Sequence, residues 1–129
     1  MIIKYNPFPA VRVNWKYWRF SPRAQSYHNK MNELREEIWD NLEWILETLI
    51  NWNYQIIFKI QMPKSWSRKK KSEYNNTYHT QKPDIDNLYK AFTDTVFYWI
   101  EWVNDSSIHK INAEKIWSYD WEIDFKIIK

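Results

Sequence analysis

Apolar side chains recur along the chain at two different periods, and these periods set the elements to expect. Ile2 to Tyr5 reads as a short first strand, after which Pro7 and Pro9 interrupt regular structure. From Ser26 to Ile50 the residues Met31, Leu34, Ile38, Leu42, Ile45 and Leu49 fall every three or four positions, one apolar stripe of a single long helix. Glu33, Glu36, Glu37, Asp40, Glu43 and Glu47 mostly occupy its other face. Tyr54 to Met62, rich in Ile and aromatic residues, predicts a strand that Pro63 stops. Asp84 to Tyr98 predicts a second helix with a buried stripe of Ile85, Leu88, Phe92 and Val96. Ile108 to Ile116 and Glu122 to Ile128 predict two strands joined by a turn over Ser118–Trp121. The order β-α-β-α-β-β implies an α+β fold in one domain over residues 1–129: one mixed sheet with two helices packed on it.

Two stretches carry no clean period, and both are basic. Residues 10 to 24 form an arm with Arg12, Lys16, Arg19 and Arg23, and no acid occurs anywhere from Met1 to Lys30. Residues 64 to 82 read as a long mobile loop carrying Lys64, Arg68, Lys69, Lys70, Lys71 and Lys82 against a single Glu73. The net charge is only +3, but its segregation suits a polyanion such as nucleic acid. The plain alternative is two solvated segments. The chain has no Cys, which excludes a disulfide scaffold and thiolate metal sites. No apolar run reaches membrane-spanning length and no secretory leader pattern follows Met1, so a soluble cytoplasmic protein without a membrane partner is expected.

The composition holds one anomaly: no Gly beside ten Trp. Average usage would give roughly nine glycines. Trp52 follows Asn51 at the end of the long helical pattern, where a left-handed residue is usual, and Trp121 follows Asp120 where Asp-Gly would signal a hairpin. Trp99 and Trp102 bracket the end of the second helix, and Trp15 and Trp18 lie in the basic arm. Such a pattern would arise if UGA codons that specify Gly in the source were read as Trp; the alternatives are a chain that is Trp-rich in its own right or one deliberately made without Gly.

The most informative segment is Lys82-Pro83-Asp84-Ile85-Asp86-Asn87-Leu88-Tyr89-Lys90. Two carboxylates two residues apart do not share a helix face, so they converge only if one lies at or before the helix start. Pro83 favours that arrangement, with Asp84 at the cap and Asp86 in the first turn. Lys90 lies one turn beyond Asp86, and Asp105 follows the helix after a short connection that could return it beside the first two acids. Clustered carboxylates repel one another, and a hard divalent cation relieves the repulsion; all-oxygen ligands point to Mg²⁺ or Mn²⁺. Taken alone, such a pair is more often a helix cap and a solvated acid than a metal site.

This segment, with Asp94 and the later Asn104-Asp105-Ser106, resembles the signature of RusA-type Holliday-junction resolvases. The likeness is strongest over residues 82 to 117, where Glu114-Lys115 is similar to the family's lysine-containing strand, and looser in the N-terminal half. The resemblance implies a homodimeric, Mg²⁺-dependent endonuclease, bacterial or phage-encoded, that cuts paired strands of branched DNA at a four-way junction. It implies Asp84, Asp86 and Asp105 as metal-binding carboxylates and Lys90 as the catalytic lysine, with Arg12, Lys16, Arg19, Arg23, Arg68, Lys69, Lys70 and Lys71 as DNA contacts. Two other readings stand beside it: a DNA-structure-binding module of the same fold without turnover, and a small-nucleotide phosphohydrolase, against which the extended basic segments argue. Asp94 reads either as support for the acidic site or as a salt-bridged acid on the helix surface. Asn87 reads as an orienter of the carboxylates or a partner of the local backbone. His28 and His79 read as surface residues and His109 as a strand residue.

Overall fold

The computed structural model describes residues 1–11, 21–98, 100 and 102–128. Its elements are β1 (Ile2–Ile3), α1 (Pro22–Ile38), α2 (Leu42–Asn51), β2 (Tyr54–Gln61), α3 (Arg68–Tyr74), α4 (Ile85–Phe97), β3 (Ala113–Ser118) and β4 (Glu122–Ile127). The fold is α+β, with one mixed four-stranded sheet in the order β1-β4-β2-β3. β2 runs parallel to β3 and antiparallel to β4, and β4 pairs antiparallel with β1.

The two helical stripes form the core with the inner face of the sheet. Met31, Leu34, Ile38, Ile45 and Leu49 are buried on α1 and α2, and Leu88, Phe92 and Val96 on α4. They meet Tyr54, Ile56 and Phe58 of β2 and Ile123 and Phe125 of β4, alternate residues of each strand. Arg35 is buried where α1 meets α4, and its guanidinium donates to the Thr95 carbonyl at 3.0 Å.

Several expectations change. The long helix is two helices, because Trp39–Asn41 tightens into a 3₁₀ turn. Asp40 and Asn41 supply the local reason, since such side chains compete for backbone groups outside regular helix. Ile38 and Ile45, on either side of the break, nevertheless remain fully buried, so the stripe continues through it. The last two strands do not form a hairpin: β4 lies on the far side of β2 from β3. The chain crosses the end of β2, where the Met62 N–H donates to the Ser118 carbonyl at 2.9 Å. β3 begins at Ala113, so His109 precedes it in an exposed connection and is not a strand residue.

The basic loop is the largest change. Arg68–Tyr74 is helical, capped by the Ser67 side chain, which accepts from the Lys70 N–H at 3.1 Å. The chain then runs along the free edge of β3. Asn76 donates to the Trp117 carbonyl, Trp117 to Thr77 and His79 to Lys115, at 2.9, 2.9 and 3.0 Å. Trp66 lies 4.8 Å from Trp117 and 5.3 Å from Tyr74, ring centre to ring centre, and so packs α3 toward the sheet. His79 is therefore buried, not on the surface, with its ring 4.2 Å from that of Trp117. Burial first, and the Lys115 charge second, lower its pKa.

Among the described tryptophans the left-handed backbone that would call for Gly is absent. Asn76, at φ 66°, is the described residue with positive φ, and Trp52 is extended at φ −120° and ψ 159°. Exposure is the informative property instead. Trp52 is 56% exposed and Trp102 80%, so their rings bury little, whereas Trp117 is 5% exposed. Trp102→Gly should change stability by about 0.5 kcal/mol or less, and Trp117→Gly should cost about 3–5 kcal/mol, read from chemical denaturation. Under the codon reading the gene carries UGA at Trp52, Trp99, Trp102 and Trp121; UGG at all four would end it.

Candidate active site

The start of α4 places the first two acids. Asp84 is the N-cap residue, extended at φ −70° and ψ 144°, and Asp86 lies in the first turn. The side chain of Asp84 does not cap the helix, as a cap aspartate ordinarily would. It turns instead to Lys82, whose ammonium donates to both carboxylate oxygens at 2.9 Å. That hydrogen bond is the first cause of the lowered pKa of Asp84. Asp86 Oδ1 accepts from the Asn87 N–H at 2.9 Å, so Asn87 meets this carboxylate through its backbone.

The loop before α4 is held from the sheet. Lys115 of β3 extends its ammonium to the carbonyls of Gln81 and Pro83, the latter at 2.7 Å, and burial lowers its pKa. Lys115 thus ties the central sheet to the backbone from which Asp84 and Asp86 emerge. Its place in the lysine-containing strand was visible in the sequence. Its partners were not, because carbonyl oxygens leave no mark on residue type.

Asp105 is placed by a turn of its own. Asn104 caps the 3₁₀ turn Asp105–Ser107, its side-chain oxygen accepting from the Ser106 N–H at 3.0 Å and from the Ser106 hydroxyl. The amide at position 104 therefore works as a turn cap that fixes the residue after it.

Asp86, Lys90 and Asp105 line one cavity of about 470 Å³, together with Ile85, Tyr89, Thr93, Ile108, Ile111 and Ala113. Its inner wall is tied to the core. The Tyr89 hydroxyl meets that of Tyr54 at 2.5 Å, and Tyr54 donates onward to the Lys110 carbonyl at 2.6 Å. Burial, then the bond to Tyr54, push the Tyr89 phenol well above its ordinary pKa, so it remains a donor. The bond to Lys110 fixes the connection that carries Ile108 and Ile111 to the cavity. The link from Tyr89 through Tyr54 to Lys110 did not stand out in the sequence, since it joins elements far apart along the chain.

The structure thus brings two of the three expected carboxylates and the expected lysine to one cavity. Asp84 does not line it. Among the described residues, no three His, Asp or Glu side chains are grouped closely enough to hold a metal ion. The donor set nevertheless suits a hard cation: Mg²⁺ commonly takes one or two carboxylates and completes its shell with water and substrate phosphate. Lys90 does not stand alone. Its ammonium donates to both oxygens of Asp94, at 3.1 and 2.9 Å, so Asp94 is paired with the lysine that lines the cavity.

Of the expected DNA contacts, Arg12, Lys16 and Arg19 lie outside the described residues, as do Trp15, Trp18 and Trp99. Arg23 is exposed in the first turn of α1. Arg68, Lys69 and Lys70 are exposed on α3 and Lys71 is half-buried. The Lys70 ammonium lies 4.1 Å from the centre of the Trp66 ring. His28 is half-buried against Tyr98, ring centres 5.6 Å apart, rather than free on the surface. No helix among the described residues is long and apolar enough to cross a membrane.

Comparison with curated proteins gives no match, and comparison with solved structures gives none. Comparison with family models does: the model described as endodeoxyribonuclease RusA matches residues 5–127, and so spans both the acid-bearing helix and the Asp105 turn. This chain belongs to the RusA family of Holliday-junction-resolving endodeoxyribonucleases.

Proposed function

We propose that the chain is a divalent-metal-dependent endonuclease that resolves four-way DNA junctions, acting as a homodimer with one acidic site for each of two strands. The observation that carries this reading is the shared cavity of Asp86, Asp105 and Lys90 in a chain of this family. Asp86 and Asp105 would hold the metal, with Asp84 as a third carboxylate once Lys82 is drawn to phosphate. The chemistry that Mg²⁺ or Mn²⁺ would supply there is activation of a water and neutralisation of charge on the scissile phosphate. Lys90 supplies a positive charge to the same phosphate. Two-fold symmetry suits symmetric cutting of a four-way junction.

The test is cleavage of an end-labelled four-way junction with Mg²⁺, with Mn²⁺ and with EDTA. Paired, symmetric nicks are expected with either metal and none with EDTA. Nicks that persist in EDTA would remove the metal from the proposal, and intact junctions under all three conditions would remove the nuclease. The engagement of Asp84 with Lys82 favours one runner-up, a junction-binding module without turnover. Retarded but uncut junctions in the presence of both metals would establish that runner-up instead.

A further inference from the structure

Asp94 does not line the cavity, yet it joins the lysine that does to the helix behind it. Lys90 Nζ donates to both its oxygens, and the Tyr27 hydroxyl of α1 donates to Oδ2 at 2.8 Å. One carboxylate thus receives three bonds, two from the cavity side and one from the packed face between α1 and α4. Burial first, and Asp94 second, push the Tyr27 phenol well above its ordinary pKa, so it stays protonated and keeps donating.

Helix stability does not account for this arrangement. A lysine placed before its acid at i,i+4 is the weaker orientation of such a pair. Exposed pairs of this spacing contribute only about 0.3–0.5 kcal/mol. The Lys90 side chain is 44% exposed, and a lysine that free ordinarily samples many rotamers. The difference here is that its partner is itself fixed: the Asp94 side chain is 25% exposed and anchored by a part-buried phenol on another helix. The ammonium of a residue that lines the cavity with Asp86 and Asp105 is thereby held in one place.

We infer that Asp94, anchored by Tyr27, is a positioning residue that presents the Lys90 ammonium to the scissile phosphate. The inference rests on the nuclease reading for its purpose but not for its geometry, so two kinds of measurement test it. In the full chain, Asp94→Ala should lower kcat for junction cleavage about 10- to 100-fold while KM and junction affinity stay within about twofold, since misplacement of a catalytic group by about 1 Å suffices for such a loss. Tyr27→Phe should give a smaller loss of the same kind. The double variant Lys90→Ala/Asp94→Ala should cleave no more slowly than Lys90→Ala, because Asp94 acts through the lysine.

Independently of cleavage, side-chain ¹⁵N relaxation should show the Lys90 ammonium restricted in the parent protein and mobile in Asp94→Ala. Asp94→Asn, of the same size, repeats the measurement should the alanine variant unfold. Unchanged Lys90 motion in the substituted chain overturns the inference, as does a double variant slower than Lys90→Ala by the full Asp94→Ala factor. If the parent protein cuts no junction, the nuclease reading falls, and the relaxation data still decide whether Asp94 holds Lys90.

Discussion

Asp86→Ala and Asp105→Ala should each lower junction cleavage by about 10³-fold or more while leaving junction affinity unchanged or slightly higher. Both carboxylates face one cavity, so each substitution removes one of the two acids that meet there. Affinity moves the other way because removing a negative charge eases the approach of phosphate. Asp84→Ala separates two roles for the third acid. If Asp84 joins the metal site, its loss costs as much as that of Asp86. If it serves only as the partner of Lys82, cleavage stays near the parent rate. The measurement is single-turnover cleavage at saturating protein, which removes binding from the rate. Normal cleavage by Asp86→Ala or by Asp105→Ala would sink the assignment of this cavity as the active site.

How far the site could be read from the sequence depends on how local each determinant is. The start of α4 was legible because Pro83 and the Asp-x-Asp spacing act within a single turn of backbone. The apolar stripes were legible for the same reason: Met31, Leu34, Ile38, Leu88, Phe92 and Val96 are buried as the period requires, whereas Leu42 and Ile85, at helix starts, are only half-buried. The short connection predicts Asp105 beside both earlier acids; Asp105 shares a cavity with Asp86 but not with Asp84, and Asn104 caps the turn that carries it. The outward turn of Asp84 was not legible, because Lys82 suits DNA contact and ion pairing equally well in a sequence.

What escaped was non-local. Tyr27 lies 67 residues from Asp94 and Lys115 lies 32 from Pro83, and no spacing rule reaches across such gaps. The hairpin expectation failed for a related reason. A short turn between two strands specifies the reversal of direction, but not which side of β2 the second strand takes. The segment from 64 to 82 reads as a loop because no clean apolar period runs through it, yet Arg68–Tyr74 is helical. Its anchors are aromatic, Trp66 and Tyr74, and the edge of β3 satisfies the backbone groups of residues 76, 77 and 79.

Replacing Arg68, Lys69 and Lys70 together with Gln should weaken junction binding by about 10²- to 10³-fold at 0.1 M salt and reduce the slope of log affinity against log salt by up to about 2.7. The argument is one of counterion release: each cation that neutralises a phosphate contributes about 0.9 to that slope. All three side chains are exposed on α3, a helix docked by aromatic contacts and so able to hold its charges in a fixed array. They do not contribute equally. Lys70 lies over the Trp66 ring, a contact worth about 0.5–1 kcal/mol at an exposed site, and must leave or share it to meet phosphate. Arg68 and Lys69 should therefore account for most of the change, and Lys70→Gln alone for the least. Because α3 supplies no residue lining the cavity, the cleavage rate at saturating protein should be unaffected by the triple substitution. A salt slope that stays at the parent value would show that these charges face solvent in the complex. A fall in the saturated rate would show instead that α3 also orients the strand at the Asp86–Asp105 cavity.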